Sequence, residues 1–147
     1  MTDSEIRYFM NEAILEGRKA LPDCLPNPPV GCVIVSDKVI ISRGYTNEPG
    51  KHHAEAMALD KIENTNAENS TVFVTLEPCS FHGRTPSCAK TIIEKGIKNV
   101  FVGILDPHPK NQGKGIQMLK DANVNVKVGV LQEQIYNELN NYLIRQE

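Results

Sequence analysis

Tryptophan is absent, and aromatic residues make up only 5% of the 147-residue sequence, as four Phe and four Tyr. So few rings provide no stacking platform for single-stranded nucleic acid. An excess of either charge is missing too: 16 basic residues against 18 acidic leave a net charge of −2, so no basic track draws a polyanion. No apolar window approaches the ~20 residues of a membrane span, and Met1–Met10 carries charges where a secretory signal has an apolar stretch. A cytoplasmic location with neither membrane nor nucleic-acid partner is therefore expected. Cysteine is scarce, with only Cys24, Cys32, Cys79 and Cys88. In a reducing compartment these read as free thiols or metal ligands, not as disulfides.

What is present suits one domain, since 40% of the residues are apolar and a chain of this length leaves no room for two full cores. Periodicity predicts a helix over Ser4–Leu21 capped by Asp3 or Ser4, then a hairpin of Val30–Val35 and Val39–Ser42 joined by Ser36-Asp37-Lys38. It continues with a helix over His53–Ile62, a buried strand over Thr71–Thr75, a helix over Cys88–Lys95 and a strand over Val100–Ile104. A helix over Gly115–Ala122, a strand over Val124–Val130 and a last helix over Gln132–Arg145 complete the chain. This alternation predicts an α/β sandwich of about five strands with helices on both faces. The loops after Val35, Thr75 and Ile104 are the places to look for function.

Three pieces carry chemistry: His53-Ala54-Glu55 opening a helix, Pro78-Cys79 just after a strand, and Cys88 opening the next helix. One imidazole and two thiolates suit Zn²⁺, and three protein ligands leave the fourth tetrahedral position open, as in a catalytic site. Glu55 stands beside such a metal without binding it, where a proton shuttle belongs. Helix N-terminal charge is expected to favour the thiolate at Cys88. Alone, a His-x-Glu or a pair of cysteines separated by eight residues is a weak signal; their ordered conjunction is a strong one. Cys32, inside an apolar run, reads as a small buried hydrophobe, and Cys24 receives no role. His52 is a solvated neighbour or an entrance residue, His108 a pocket-mouth residue or part of a turn, and Lys114 between two glycines a weak phosphate candidate.

His53-Ala54-Glu55 followed by Glu77-Pro78-Cys79 resembles the zinc-dependent cytidine-deaminase superfamily. Four further segments are similar to the deaminase domain of the bifunctional riboflavin-biosynthesis deaminase/reductases: Asn27–Val35, Thr75–Ser80, Gly83–Cys88, and Asp106-Pro107-His108-Pro109 with Gly113-Lys114-Gly115. The eight residues between Cys79 and Cys88 are the most specific feature. The resemblance implies a three-layer α/β/α sandwich around a mixed five-stranded sheet, with residues 1–147 forming a single deaminase domain without a reductase. It also implies His53, Cys79 and Cys88 as zinc ligands, Glu55 as proton shuttle, Asn27 against the pyrimidine ring and Arg84 facing the substrate.

Two positions depart from the family pattern, with Thr46 and Phe81 standing where histidines are usual and His82 one place later. The departures suggest a pocket retuned among Thr46, Phe81, His82 and Arg84. The expected activity is hydrolytic deamination of an amino-substituted pyrimidine-like heterocycle. That is either the family's diaminohydroxyphosphoribosylamino-pyrimidine or a different free base, nucleoside or secondary-metabolite ring. A tRNA or single-stranded-DNA deaminase and a non-catalytic zinc module are competing readings, opposed respectively by the aromatic poverty and by the intact Glu55. The family implies a homodimer or higher homo-oligomer. The last helix, with Ile135, Leu139, Tyr142 and Leu143 on one side, either serves as that surface or covers the chain's own sheet.

Overall fold

Thr2 opens the first helix. Its hydroxyl accepts from the Glu5 backbone N–H while the Glu5 carboxylate accepts from the Thr2 N–H. This capping box starts α1 (Asp3–Arg18) one step ahead of the expected Asp3 or Ser4 cap. The computed structural model describes residues 1–62, 69–80 and 87–143. It ends α1 at Arg18, short of the expected Leu21, and the chain runs on from Lys19 through turns to Pro22, which has no N–H to extend a helix.

β1 (Gly31–Ser36) passes through Asp37-Lys38, both at positive φ (51° and 62°), into β2 (Val39–Tyr45). Positive φ at both central residues is what a two-residue type I′ hairpin demands. There follow α2 (Ala54–Asp60), β3 (Ser70–Leu76), α3 (Cys88–Glu94), β4 (Asn99–Ile104), α4 (Lys114–Asp121), β5 (Asn125–Val128) and α5 (Gln132–Leu139). β5 is shorter than expected, ending where Gly129 takes φ 104°. The sheet order is β2-β1-β3-β4-β5, antiparallel through β2, β1 and β3 and parallel through β3, β4 and β5. It is the expected mixed five-stranded sheet. Central β3 is buried along its whole length, which is why Thr71–Thr75 reads as an unbroken apolar-leaning run and not as an alternation.

The layers follow from close backbone approaches. Gly31 faces α1, where a Cβ would stand 1.8 Å from Ala13 O; the next residue, Cys32, points to the opposite face with its partner Gly44. There α2 packs so closely that a Cβ on Gly44 would lie 2.2 Å from Ala54 O. Ile14 of α1 and Ile135 and Leu139 of α5 line one cavity together with Thr75 on one side, while α2, α3 and α4 pack in succession on the other. Phe73 stacks on Phe101 with ring centroids 4.9 Å apart and meets Phe9 of α1 at 5.5 Å.

The last helix is a correction. It stops at Leu139 and gives way to a 3-10 turn, Asn140–Tyr142, rather than running to Arg145, which lies outside the described residues. Ile135 (0% exposed) and Leu139 (2%) are sealed against the chain's own sheet. These two positions are therefore core, Tyr142 and Leu143 are only half-buried, and Tyr136, on the outer side, is exposed. Among the described residues no helix is long and apolar enough to cross a membrane.

Candidate metal centre and active site

The three candidate ligands arrive from three differently built places. His53 is the N-cap of α2, held in extended conformation (φ −72°, ψ 167°), so the helix expected to begin at His53 begins one residue later. Cys79 follows the end of β3, and Cys88 is the first residue of α3, whose own cap is the Ser87 hydroxyl accepting from Lys90 N. His53 Nδ1 lies 3.7 Å from Cys79 Sγ and 3.4 Å from Cys88 Sγ. Tetrahedral zinc with Zn–S of about 2.3 Å and Zn–N of about 2.0–2.1 Å places N and S ligands about 3.6 Å apart, and the two observed separations straddle that value. All three ligand atoms fall within 4.8 Å of one another, and no other His, Cys, Asp or Glu among the described residues joins them. The donor set therefore fits a three-ligand zinc site.

His53, Cys79 and Glu55 line one cavity of about 330 Å³. Glu55, on the first turn of α2, is 4% exposed and outside the ligand cluster. In the metal-free protein burial pushes its carboxyl up to about 7, against the opposing pull of the nearby His53. A carboxyl in that range takes and returns protons near neutrality. The Cys88 backbone N–H points at Cys79 Sγ from 3.2 Å. The Cys88 thiol and His53 also bond to Cys79, holding it well below the usual thiol range. Cys88, donating to Cys79 and buried, is raised. The N–H at the start of α3 is thus aimed at the sulfur of Cys79 and not at that of its own residue. His53, bonded to Cys79, rises to about 9. Ligation of a metal by both sulfurs thus releases protons.

Of the expected substrate contacts, Asn27 and Thr46 line the cavity. Thr46 spends its hydroxyl on the neighbouring loop, donating to Pro28 O at 2.9 Å and accepting from Val30 N at 3.0 Å. It thereby fixes the segment that presents Asn27. Phe81, His82 and Arg84 lie outside the described residues. His108 lines the cavity, whereas His52 is directed to Asp60 at 3.6 Å and Lys114 is exposed away from the cavity. Cys32 is buried in β1, and the Cys24 thiol donates to Asn27 O at 3.3 Å.

Glu77 and Asp106, which the sequence placed only within motifs, also line the cavity, as does Leu143, which it placed on the stripe of the last helix. Buried Glu77 accepts from the backbone N–H groups of Asp106 (3.0 Å), Gly113 (3.0 Å) and Ile116 (3.1 Å). It ties the end of β3 to the loop before α4. The available signal was the Gly113-Lys114-Gly115 spacing: a Cβ on Gly115 would sit 1.9 Å from Pro78 O, so the helix start can meet the ligand loop only as glycine.

Residues 3–104 match the family model of the cytidine and deoxycytidylate deaminase zinc-binding region. The chain belongs to that family. Family membership, together with the His and two Cys brought into one cluster, makes it a zinc-dependent hydrolytic deaminase. The diaminohydroxyphosphoribosylamino-pyrimidine deaminase of Buchnera aphidicola (subsp. Schizaphis graminum) is 42% identical over 134 residues, 90% of each chain. The riboflavin biosynthesis protein RibD of Bacillus amyloliquefaciens is 43% identical over 133 residues, 90% of this chain and 35% of that one. The solved structure of Acinetobacter baumannii RibD superposes with a TM-score of 0.91 at 37% identity, over 96% of this chain and 39% of that one. The chain thus spans nearly the whole of the first relative and little more than a third of the other two.

Proposed function

We propose that this chain hydrolyses the amino group from diaminohydroxyphosphoribosylamino-pyrimidine, releasing ammonia, with His53, Cys79 and Cys88 as the zinc ligands and Glu55 as the proton shuttle. The observation that carries the reading is the burial of unliganded Glu55 in the cavity that His53 and Cys79 also line. The near-equal-length relative bearing that substrate's name supports the choice of ring. Zinc bound there supplies a Lewis acid that brings the pKa of a coordinated water to about 7. Glu55 accepts a proton from the attacking water and passes it to the ring nitrogen. The water oxygen bonds to the amine-bearing carbon; Glu55 then takes the second proton from that oxygen and delivers it to the amino nitrogen, so that the carbonyl forms as the C–N bond breaks. One water is consumed and one ammonia released.

Asn27 offers its amide to the ring edge, and Thr46, Phe81, His82 and Arg84 complete the substrate contacts in this reading. In this reading residues 1–147 form one deaminase domain that acts in the cytoplasm on a small molecule and assembles as a homodimer or higher homo-oligomer. None of the four cysteines is paired in a disulfide, which fits a reducing compartment. A second reading, a different free base or nucleoside, draws on Thr46, whose hydroxyl is committed to Pro28 and Val30 and brings no ionisable donor to the substrate. Ammonia release by the zinc-loaded protein across a panel of amino-pyrimidines tests the proposal. The highest kcat/KM is expected for the phosphoribosylamino compound. Preference for an unphosphorylated ring favours the second reading, and zinc-loaded protein inert on the whole panel refutes both.

A further inference from the structure

Cys79 sits on irregular chain beyond the β3 ladder, so something other than sheet pairing must hold its backbone. Its own carbonyl accepts from Ser87 Oγ at 2.9 Å and from Ala89 N at 3.0 Å, which ties it to α3. From the other side comes Asn111, 0% exposed in the loop between β4 and α4. Asn111 Oδ1 accepts from Ser80 N at 3.0 Å, and Nδ2 donates to Pro78 O at 3.3 Å. Pro78 and Ser80 are the two chain neighbours of Cys79. The same Nδ2 donates to Asp106 Oδ2 at 3.4 Å, and Asp106 lines the cavity. Asn111 is itself fixed, since its N–H donates to His108 O at 2.9 Å and its carbonyl accepts from Lys114 N.

We propose that Asn111 is a positioning residue of the metal centre, clamping the chain on both sides of Cys79 so that its sulfur is presented to the same point as His53 and Cys88. The inference rests on the reading of those three residues as zinc ligands. The site needs an acceptor and a donor on one short planar group. A carboxylate of the same size keeps the bond from Ser80 but sets a bare oxygen against Pro78 O and Asp106 Oδ2. An apolar residue of similar volume loses both bonds and leaves the Ser80 N–H and the Pro78 carbonyl without this partner. Groups that orient a ligand in this way typically change metal affinity or activity by about 10–100-fold.

The test compares full-length wild type, Asn111→Leu, Asn111→Asp and, as a control for stability alone, Leu119→Ala in the buried face of α4. Zinc affinity is read by competition with a chromophoric chelator, geometry by the visible spectrum of the Co²⁺-substituted protein, and stability by melting of the metal-free protein. Both Asn111 variants are expected to bind zinc about 10–100-fold more weakly, to shift the Co²⁺ bands, and to lose kcat more than they raise KM. Leu119→Ala should melt earlier with zinc affinity and Co²⁺ spectrum unchanged. Unaltered zinc affinity and spectrum in the Asn111 variants, or an equal loss in Leu119→Ala, overturns the proposal. Should Asn111→Leu fail to fold, Asn111→Asp decides by the same readouts. The wild-type arm separately tests the underlying reading, which fails if that protein binds no zinc.

Discussion

Replacing Glu55 with glutamine separates what the carboxylate costs the fold from what it does in the reaction. Its carboxyl is raised from 4.5 to about 7 in the metal-free protein, chiefly by burial. That difference corresponds to on the order of 3 kcal/mol. A raised carboxyl binds its proton more tightly in the folded state. The penalty is therefore absent below about pH 4.5, grows as pH climbs towards 7, and is complete above it. Glutamine has nearly the same shape and no charge to bury. In the presence of a chelator, Glu55→Gln should match wild-type stability near pH 4.5 and exceed it by up to about 3 kcal/mol at pH 8. Urea unfolding at the two pH values measures this difference. Zinc binding should survive the change, while loss of the proton shuttle should cut kcat by at least about 10²–10⁴-fold. A variant no more stable than wild type at pH 8 would refute the claim that burial of the charge sets the carboxyl's state. Activity comparable to wild type would refute its role.

Three further substitutions probe the scaffold. Gly44→Ala places a Cβ 2.2 Å from Ala54 O and 2.7 Å from Ala58 N, both backbone atoms of the helix that carries Glu55. It should destabilise by about 1–3 kcal/mol in denaturant titrations and weaken zinc binding as α2 shifts. Glu77→Gln turns an NH₂ group against one of the three N–H donors and should cost about 2 kcal/mol, read as an earlier melt of the zinc-loaded protein. Thr46→Val leaves Val30 N without its hydroxyl partner and should cost about 1–3 kcal/mol. Its KM should rise as the Asn27 loop loosens, and an unchanged KM would place the loop's order elsewhere.

The parts legible in the sequence were those governed by local rules. The spacing of Phe9, Met10, Ala13 and Ile14 marks the buried face of α1, and the apolar run of β3 marks a central strand, because side-chain periodicity maps directly onto burial. His53, Cys79 and Cys88 were legible because few residue types bind zinc and each stands at the border of a recognisable element. Glu77 and Asn111 were not. Both act through backbone groups far along the chain, and a backbone N–H or C=O leaves no mark in a sequence. The last helix was legible only in part: its apolar stripe is real, but periodicity leaves open whether a stripe meets the chain's own sheet or a second copy, and the structure sets Ile135 against Gly103 of β4. That the N–H at the start of α3 is aimed at Cys79 is a detail of direction that spacing does not encode.

X-ray absorption at the zinc edge of the purified protein goes straight to the arrangement on which the chemistry depends. One zinc per chain is expected, with two sulfur neighbours at about 2.3 Å and two nitrogen or oxygen neighbours at about 2.0–2.1 Å, one of the latter pair exchangeable with solvent or inhibitor. A shell of three or four sulfurs, drawing in Cys24 or Cys32, or a fourth protein ligand closing the position that faces the cavity, would contradict it.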